Sequence, residues 1–316
     1  IDDAIKLGAN ALLVNNDIDQ NYSIPLLKVN NTRKAMSRIA ANFFNCSSKN
    51  IQITGITGTN GKTTITELTN YILKTNNYPT SSLGTLGFQG PNGTINTGFT
   101  TPESLELQHI FHTLYKAGIQ HLVMEVSSHS ISLNRVDDVD IDIAVFTNLT
   151  EEHLDFHGNI DNYFKSKLKL FTNLSSDKIA IINVDDPYSR KIIKKTKAKI
   201  LTYGFNKKAN IYPEKIDMSL DGTQFYINYK EEKFKIKTHL IGDFNISNIL
   251  ASILICSTIG IKINQIANSI NNFCSVPGRF ESYKKEDGST IIVDYAHTPD
   301  AFDKILSVIK NINPNK

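Results

Sequence analysis

The feature that most constrains this sequence is a glycine-rich loop between an apolar strand and an amphipathic helix. The loop reads Gly-Ile-Thr-Gly-Thr-Asn-Gly-Lys-Thr-Thr over residues 55–64. Glycines let consecutive backbone N–H groups turn toward phosphate oxygens, and the helix start adds the positive end of its dipole. Lys62 can reach the outer phosphates, and the Thr63 hydroxyl can contact a magnesium ion. The strict template needs glycine at Ile56, so we predict a variant mononucleotide-binding loop, with a ligand-free glycine turn as the alternative.

Apolar runs alternate with amphipathic stretches from residue 51 onward, a pattern typical of a doubly wound α/β sheet. The predicted strands are residues 51–54, 121–126, 141–147 and 178–184. The predicted helices are residues 62–74, 105–117, 163–174 and 245–259. Alternating runs within residues 199–238 predict a small antiparallel subsheet, and a last strand and helix are predicted at residues 290–293 and 300–310. Polar clusters follow the central strands, at the sheet edge where α/β proteins bind ligands.

Charge and cysteine content exclude several classes of protein. The formal net charge is +3, and no run of five basic residues occurs, so we expect neither nucleic acid nor a membrane surface as a partner. No apolar stretch approaches the ~18 residues of a membrane span. Cys46, Cys256 and Cys274 are isolated in the sequence, which fits reduced thiols. We therefore expect a cytoplasmic protein.

Acidic and imidazole side chains follow two of the predicted strands. Glu125 ends one strand, where a P-loop protein commonly has a second magnesium contact; a carboxylate that caps a neighbouring helix is the alternative. His153 and His157 follow the next strand, with an i, i+4 spacing that could indicate zinc. The H-E-x-x-H pattern is absent because Leu154 replaces its glutamate, so zinc is the weaker interpretation.

Five segments together resemble motifs of the Mur ligases, in the same order along the chain. They are Gly-Thr-Asn-Gly-Lys-Thr-Thr at 58–64, Glu-Val-Ser-Ser-His at 125–129, Asn-Leu-Thr-Glu-Glu-His-Leu-Asp-Phe-His at 148–157, Gly-Asp-Phe-Asn-Ile-Ser-Asn at 242–248, and Asp-Tyr-Ala-His-Thr-Pro-Asp at 294–300. Within that family, residues 124–129 and 293–300 look like those of the ligases that add a diamino acid to UDP-N-acetylmuramoyl-L-alanyl-D-glutamate.

The resemblance implies three domains. The remainder of an N-terminal uridine-binding domain would occupy residues 1–50, a central ATP-binding domain residues 51–277, and the start of a Rossmann-like, amino-acid-binding C-terminal domain residues 278–316. The sequence begins with Ile1 rather than Met, and its last predicted helix stops among Asn and Pro. We therefore expect a fragment that lacks most of the first and third domains.

The resemblance also implies roles for individual residues. Those on the ATP side are Gly58, Thr59, Asn60, Gly61, Lys62, Thr63, Thr64, Asn245, Asn248, Arg279, Tyr295 and His297. Those that contact the sugar-nucleotide peptide are Thr100, Thr101, Ser127 and Arg135. The catalytic residues are Lys62, Glu125, His153 and Lys167, and the magnesium ligands are Thr63, Glu125, His153 and a carbamylated Lys167. Plain structural explanations stay open, namely helix caps for Thr100, Thr101, Asn245 and Asn248 and a solvated helix lysine for Lys167.

By the same resemblance we expect an ADP-forming ligase of peptidoglycan synthesis that uses ATP and Mg²⁺. It would phosphorylate the D-glutamate carboxylate to an acyl phosphate and then attach a diamino acid, meso-diaminopimelate in preference to L-lysine. The alternatives are another ligase of the Mur or folylpolyglutamate type, and a P-loop ATPase switch without ligase activity.

Overall fold

The computed structural model describes residues 1–18, 22–287 and 289–312. The part that precedes the phosphate loop consists of short elements. They are α1 (Asp2–Lys6), β1 (Leu12–Asn15), β2 (Leu26–Val29), α2 (Thr32–Phe43) and a 3-10 helix (Ser47–Asn50). β1 and β2 pair in parallel. The Asn31 side chain accepts a hydrogen bond from the Lys34 amide and so caps α2.

Strands and helices alternate through the middle of the chain. In order they are β3 (Gln52–Thr57), α3 (Lys62–Thr75), β4 (Thr80–Gly84), β5 (Gly87–Gly90), β6 (Gly93–Ile95), α4 (Ser104–Lys116), β7 (His121–Glu125), α5 (Ser128–Ser132), β8 (Ile143–Phe146), α6 (Leu154–His157), α7 (Ile160–Thr172), β9 (Ile179–Asn183), α8 (Ser189–Ile193), β10 (Lys199–Tyr203), β11 (Ile211–Ser219), β12 (Gly222–Tyr229), β13 (Glu232–Thr238), α9 (Asp243–Ile259) and α10 (Ile263–Asn272). They are followed by β14 (Glu281–Lys284), β15 (Thr290–Val293) and α11 (Pro299–Ile312).

A single mixed sheet of eleven strands carries the predicted polar clusters. Its strand order is β13-β12-β11-β10-β9-β8-β3-β7-β4-β5-β6. The strands from β10 to β4 in this order are parallel to their neighbours, whereas antiparallel pairs close both edges. Parallel neighbours need crossover connections, so β3, β7, β8 and β9 all end at the same edge of the sheet. The phosphate loop follows β3 at that edge.

Helices cover both faces of the sheet and bury two apolar clusters. On one face α3, α9 and α10 pack over the strands, and Ile65, Leu68 and Ile249 are fully buried. On the other face α4 and α7 bury Phe111 and Phe171. Each such side chain contributes roughly 1.5–3 kcal/mol of burial free energy. Because α9 contacts α3, α10 and the strands, its sequence is apolar around most of its circumference.

The structure confirms the predicted α/β fold with a parallel core. The predicted central strands and helices are all present, with ends shifted by a few residues. α7 begins at Ile160 because the Asn159 side chain accepts a hydrogen bond from the Asn162 amide and caps the helix. The antiparallel subsheet is confirmed in β11, β12 and β13, but β10 at its start pairs in parallel with β9. The subsheet is therefore an extension of the main sheet.

Several elements were not predicted, among them β4, β5, β6 and α10. β4 reads Thr-Ser-Ser-Leu-Gly, and its Ser81 and Ser82 are buried, so it lacks the apolar run that marks the other central strands. α10 carries Ile263, Ile266 and Ile270 at helical spacing, and this signal was overlooked.

The C-terminal elements pack on the central part through a small apolar cluster of Ile241, Phe280 and Val308. The domain boundaries after residues 50 and 277 remain predictions. Within the described ranges, no helix combines the length and apolar character needed to cross a membrane.

Candidate functional site

Two glycines give the phosphate loop its shape. Gly58 has φ +150°, and a Cβ built on it would lie 1.8 Å from Thr147 Oγ1. Gly61 has φ +91° and is the N-cap of α3, and its Cβ would lie 2.4 Å from Asn248 Oδ1. Only glycine combines these backbone angles with so little space. The loop is therefore built against the ends of β8 and α9.

The segment that follows β8 holds the loop in place. The Thr147 hydroxyl donates to Asn60 O at 2.7 Å, and the Asn60 amide donates to Asn148 Oδ1 at 2.9 Å. The Thr59 amide donates to Asn148 O at 2.9 Å, and the Thr150 amide donates to Thr59 Oγ1 at 3.0 Å. We call residues 58–64 with Thr147 and Asn148 the loop wall. Neither residue was predicted to hold the loop, although Thr147 ends the predicted strand 141–147 and Asn148 follows it.

Two lysines converge on the carbonyl of Gly58. Lys62 Nζ donates to Gly58 O at 3.0 Å and to Thr59 O at 2.7 Å, and Lys167 Nζ donates to Gly58 O at 2.8 Å. Lys167 is only 1% exposed and lies 4.3 Å above the Tyr163 ring. Burial, followed by the charge of Lys62, holds the pKa of Lys167 well below its usual range. Burial also lowers the pKa of Lys62. The alternative interpretation of Lys167 as a solvated helix lysine is therefore wrong.

Two carboxylates face the lysines across the same cleft. Glu125 is 1% exposed and accepts hydrogen bonds from the Thr85 amide at 2.8 Å and the Thr85 hydroxyl at 3.2 Å. Its carboxylate thus contacts a loop rather than capping a helix. Glu152 lies within 3.7 Å of His153 Nε2 and 3.4 Å of His297 Nε2. Glu152 was missed, although it directly precedes His153 in one of the motifs.

The residues at this cleft fit a magnesium ion better than a zinc ion. Glu125 and Thr63 line the same cleft, and the Thr63 hydroxyl accepts from Arg279 Nη2 at 3.0 Å. Mg²⁺ prefers oxygen ligands and keeps several waters or substrate phosphates, so one carboxylate and one hydroxyl suffice. The described residues contain no cluster of three His, Cys, Asp or Glu able to hold a metal. His157 Nε2 instead lies 3.0 Å from Ser128 Oγ.

The residues predicted to contact the sugar-nucleotide peptide lie together beside Glu125. The Thr101 hydroxyl donates to Glu125 O at 2.9 Å and accepts from the Ser127 amide at 3.1 Å. Arg135 Nη1 donates to Thr101 O at 2.9 Å. The N-cap of α4 is Glu103, so neither Thr101 nor its neighbour Thr100, whose hydroxyl lies 3.4 Å from Thr85 Oγ1, caps that helix. We call Thr101, Ser127, Arg135 and Glu103 the arginine wall.

Several of the residues predicted on the ATP side, among them Asn245 and Asn248, border a second, larger cleft of about 660 Å³ between the loop and α11. Asn248 Nδ2 donates to Asn245 Oδ1 at 3.2 Å, and Asn245 Nδ2 donates to Ile241 O at 2.8 Å. Gly242 is the N-cap of α9, so the two asparagines are not its caps. The cleft is also lined by Arg279, whose guanidinium lies 4.8 Å above the Tyr295 ring. Tyr295 and His297 line the smaller cleft beside the lysines.

The fold places the protein among the P-loop α/β proteins. A family model described as the Mur ligase middle domain matches residues 56–256. Two curated relatives are UDP-N-acetylmuramoyl-L-alanyl-D-glutamate--2,6-diaminopimelate ligases. The relative from Caldanaerobacter subterraneus subsp. tengcongensis is 39% identical over 310 residues, and the one from Clostridium botulinum is 40% identical over 314 residues. Each match covers 98% of this chain.

A solved structure of a ligase with the same name superposes with a TM-score of 0.84 at 30% identity, covering 98% of this chain and 63% of that chain. The chain belongs to the Mur ligase family. It spans 64% of the length of the two curated relatives. The resemblance stated from five short motifs is thereby confirmed over nearly the whole chain.

Proposed function

We propose that the protein is an ATP-dependent ligase of peptidoglycan precursor synthesis, acting in the cytoplasm. Its substrates are UDP-N-acetylmuramoyl-L-alanyl-D-glutamate, called the muropeptide below, and a diamino acid, meso-diaminopimelate in preference to L-lysine. The observation that carries the proposal is that residues 58–64 of the loop wall and Ser127 of the arginine wall line one cleft together with Glu125 and Lys167. The names of the two curated relatives support the same substrates.

The chemistry follows from what amide formation needs. A carboxylate oxygen is a poor leaving group, so the D-glutamate carboxylate first attacks the γ-phosphorus of ATP, and ADP leaves. The amine of the diamino acid then attacks the carboxyl carbon of the acyl phosphate, and inorganic phosphate leaves with one former carboxylate oxygen. Lys62 and the loop amides stabilise the negative charge of the transferring phosphoryl group, because positioning and electrostatics do most of the work in such transfers.

Lys62 has a position consistent with this role. Its ammonium contacts the loop carbonyls of Gly58 and Thr59, beside the space where the outer phosphates would lie. Glu125 and Glu152 favour its charged form. A bound triphosphate would supply the oxygens that replace those carbonyl contacts.

Thr63 and Glu125 are the residues best suited to hold a magnesium ion, with His153 at the rim of the same cleft. The ion would neutralise phosphate charge when bound. Arg279 Nη2 donates to the Thr63 hydroxyl at 3.0 Å, which leaves that oxygen a second lone pair for a metal.

The burial of Lys167 supports the proposed carbamylation. A carbamate forms when a neutral amine attacks CO₂ and loses a proton, so a lowered amine pKa favours the reaction. We expect wild-type protein in carbon-13 bicarbonate to give a carbamate NMR signal that Lys167→Met lacks. Lys165→Met is the matched control, because Lys165 is an exposed lysine of the same helix. A signal that survives Lys167→Met would contradict the assignment.

The proposed activity is tested by phosphate release from ATP in the full-length protein. The muropeptide is supplied with diaminopimelate, with L-lysine or without an amino acid. We expect release that needs the muropeptide and increases with diaminopimelate. Release that is indifferent to the muropeptide would indicate an ATPase switch instead, and release with a folate substrate would indicate the folylpolyglutamate type.

A further inference from the structure

Glu103 occupies the N-cap position of α4 but does not cap the helix with its side chain. N-cap side chains usually accept a hydrogen bond from an amide in the first turn. The Glu103 carboxylate instead pairs with two guanidinium groups, Arg135 Nη2 at 2.7 Å and Arg33 Nη1 at 2.9 Å. The Glu103 side chain therefore contacts two distant parts of the chain and does not cap its own helix.

Arg135 is a buried cation whose position depends on few partners. It is 7% exposed, and its guanidinium lies 4.7 Å above the Phe99 ring. The Thr101 carbonyl accepts from Nη1, whereas the Nε atom is buried without a hydrogen-bond partner. A buried guanidinium costs free energy unless it is paired. Glu103 supplies the carboxylate that pairs with this arginine.

Arg33 belongs to α2, in the part of the chain that precedes the phosphate loop. Its contact with Glu103 links that part to the arginine wall. Arg33, Glu103 and Arg135 together carry a net charge of +1. These three residues can therefore attract an anionic ligand while Glu103 still pairs with Arg135.

We propose that Glu103 is a positioning residue that holds Arg135 ready for the anionic muropeptide, with Arg33 steadying Glu103 from α2. This inference rests on the proposed function. Glu103 acts through Arg135 and Thr101 rather than on the reacting atoms. It fixes the guanidinium before the muropeptide arrives, so less ordering is needed on binding.

The test is steady-state kinetics of the full-length protein with Glu103→Gln. Removing this charge should raise the KM for the muropeptide about five- to tenfold. A fully buried ion pair would give a larger increase, but Glu103 is half-exposed and solvent screens its charge. The kcat and the KM for ATP should change less than about twofold, since the loop wall has other supports. Glu103→Asp keeps the charge and should restore part of the affinity.

Glu106→Gln is the matched control, because Glu106 is an exposed acid in the first turn of the same helix. It should leave all three parameters unchanged. Calorimetric titration of wild type and Glu103→Gln with the muropeptide adds a measure of affinity that does not depend on turnover, and thermal unfolding shows whether each variant is folded.

Each outcome decides between the two proposals. If wild type turns over the muropeptide and Glu103→Gln binds it equally well, the positioning role is wrong and the proposed function stands. If kcat and the unfolding temperature fall and the KM values for both the muropeptide and ATP rise, Glu103 has only a structural role. If wild type neither binds nor turns over the muropeptide, the proposed function fails, and the inference fails with it.

Discussion

The loop wall and the arginine wall meet at one cleft, which residues 58–64 and Ser127 line, but the two walls are held by different interactions. The loop wall is fixed by short hydrogen bonds of backbone, amide and hydroxyl groups, such as that from the Thr147 hydroxyl to Asn60 O at 2.7 Å. The arginine wall depends on ion pairs of long side chains, and the Glu103 side chain is 43% exposed. Buried, crowded groups have few alternative positions, whereas exposed ion pairs are screened and weak. Changes in the loop wall should therefore abolish function, while changes in the arginine wall should adjust affinity.

The largest expected effect is that of Lys62→Ala in the full-length protein. Loss of the ammonium should lower kcat for muropeptide-dependent phosphate release by about 10³-fold, because the transferring phosphoryl group loses a fixed positive charge. Lys74→Ala, an exposed lysine in the last turn of the same helix, is the control and should keep wild-type rates. A Lys62→Ala enzyme that still turns over would remove the loop wall from the mechanism.

The second-largest effect is expected for Gly58→Ala, which tests whether crowding fixes the loop wall. The new Cβ would lie 1.8 Å from Thr147 Oγ1, so the loop has to move and ATP affinity should be lost. We expect the free energy of unfolding to fall by about 2–4 kcal/mol, as for other overpacked sites.

Gly118→Ala separates crowding from backbone strain. Gly118 also has positive φ, at +74°, but nothing lies within 4 Å of its built Cβ. Gly118→Ala should lower the free energy of unfolding by only about 1 kcal/mol and leave ATP affinity intact. ATP affinity is measured by calorimetry for both variants. An equal loss of ATP affinity in Gly58→Ala and Gly118→Ala would contradict the role of Thr147.

The sequence was sufficient to predict the phosphate loop at residues 58–64, but not the residues that hold the loop wall and the arginine wall in place. Glycines, Lys62 and Thr63 are contiguous, and the strand and helix around them have clear apolar periods, so their placement followed from local chemistry. Glu103 and Arg33 are far apart in the sequence, and neither belongs to a motif. The roles of Thr147 and Asn148 arise from the meeting of β3 and β8, which no local pattern reports. β4 was missed because its buried Ser81 and Ser82 lack the apolar character that marks the other central strands.

The smallest expected effect concerns His157, which contacts Ser128 beside the arginine wall. Burial, together with the neighbouring His129, lowers its pKa to about 4. The unfolded chain then binds a proton between pH 6.5 and 4 that the folded protein does not bind, so stability should fall as the pH falls through this window.

We expect His157 to account for about 1–2 kcal/mol of the lost free energy of unfolding at pH 4.5, allowing for partial solvent access. Urea denaturation at pH 7 and at pH 4.5 measures this loss. His157→Gln should reduce the pH dependence, and the exposed His109→Gln should not. An unchanged dependence in His157→Gln would show that other groups control acid stability.

The most direct test of the central claim follows a carboxylate oxygen. Muropeptide labelled with oxygen-18 in the D-glutamate side-chain carboxylate is incubated with the full-length protein, ATP and diaminopimelate, and the released phosphate is analysed by mass spectrometry. The acyl phosphate route predicts that one labelled oxygen moves into phosphate for each amide formed. Amide formation with unlabelled phosphate would contradict it, as would phosphate release without any amide product.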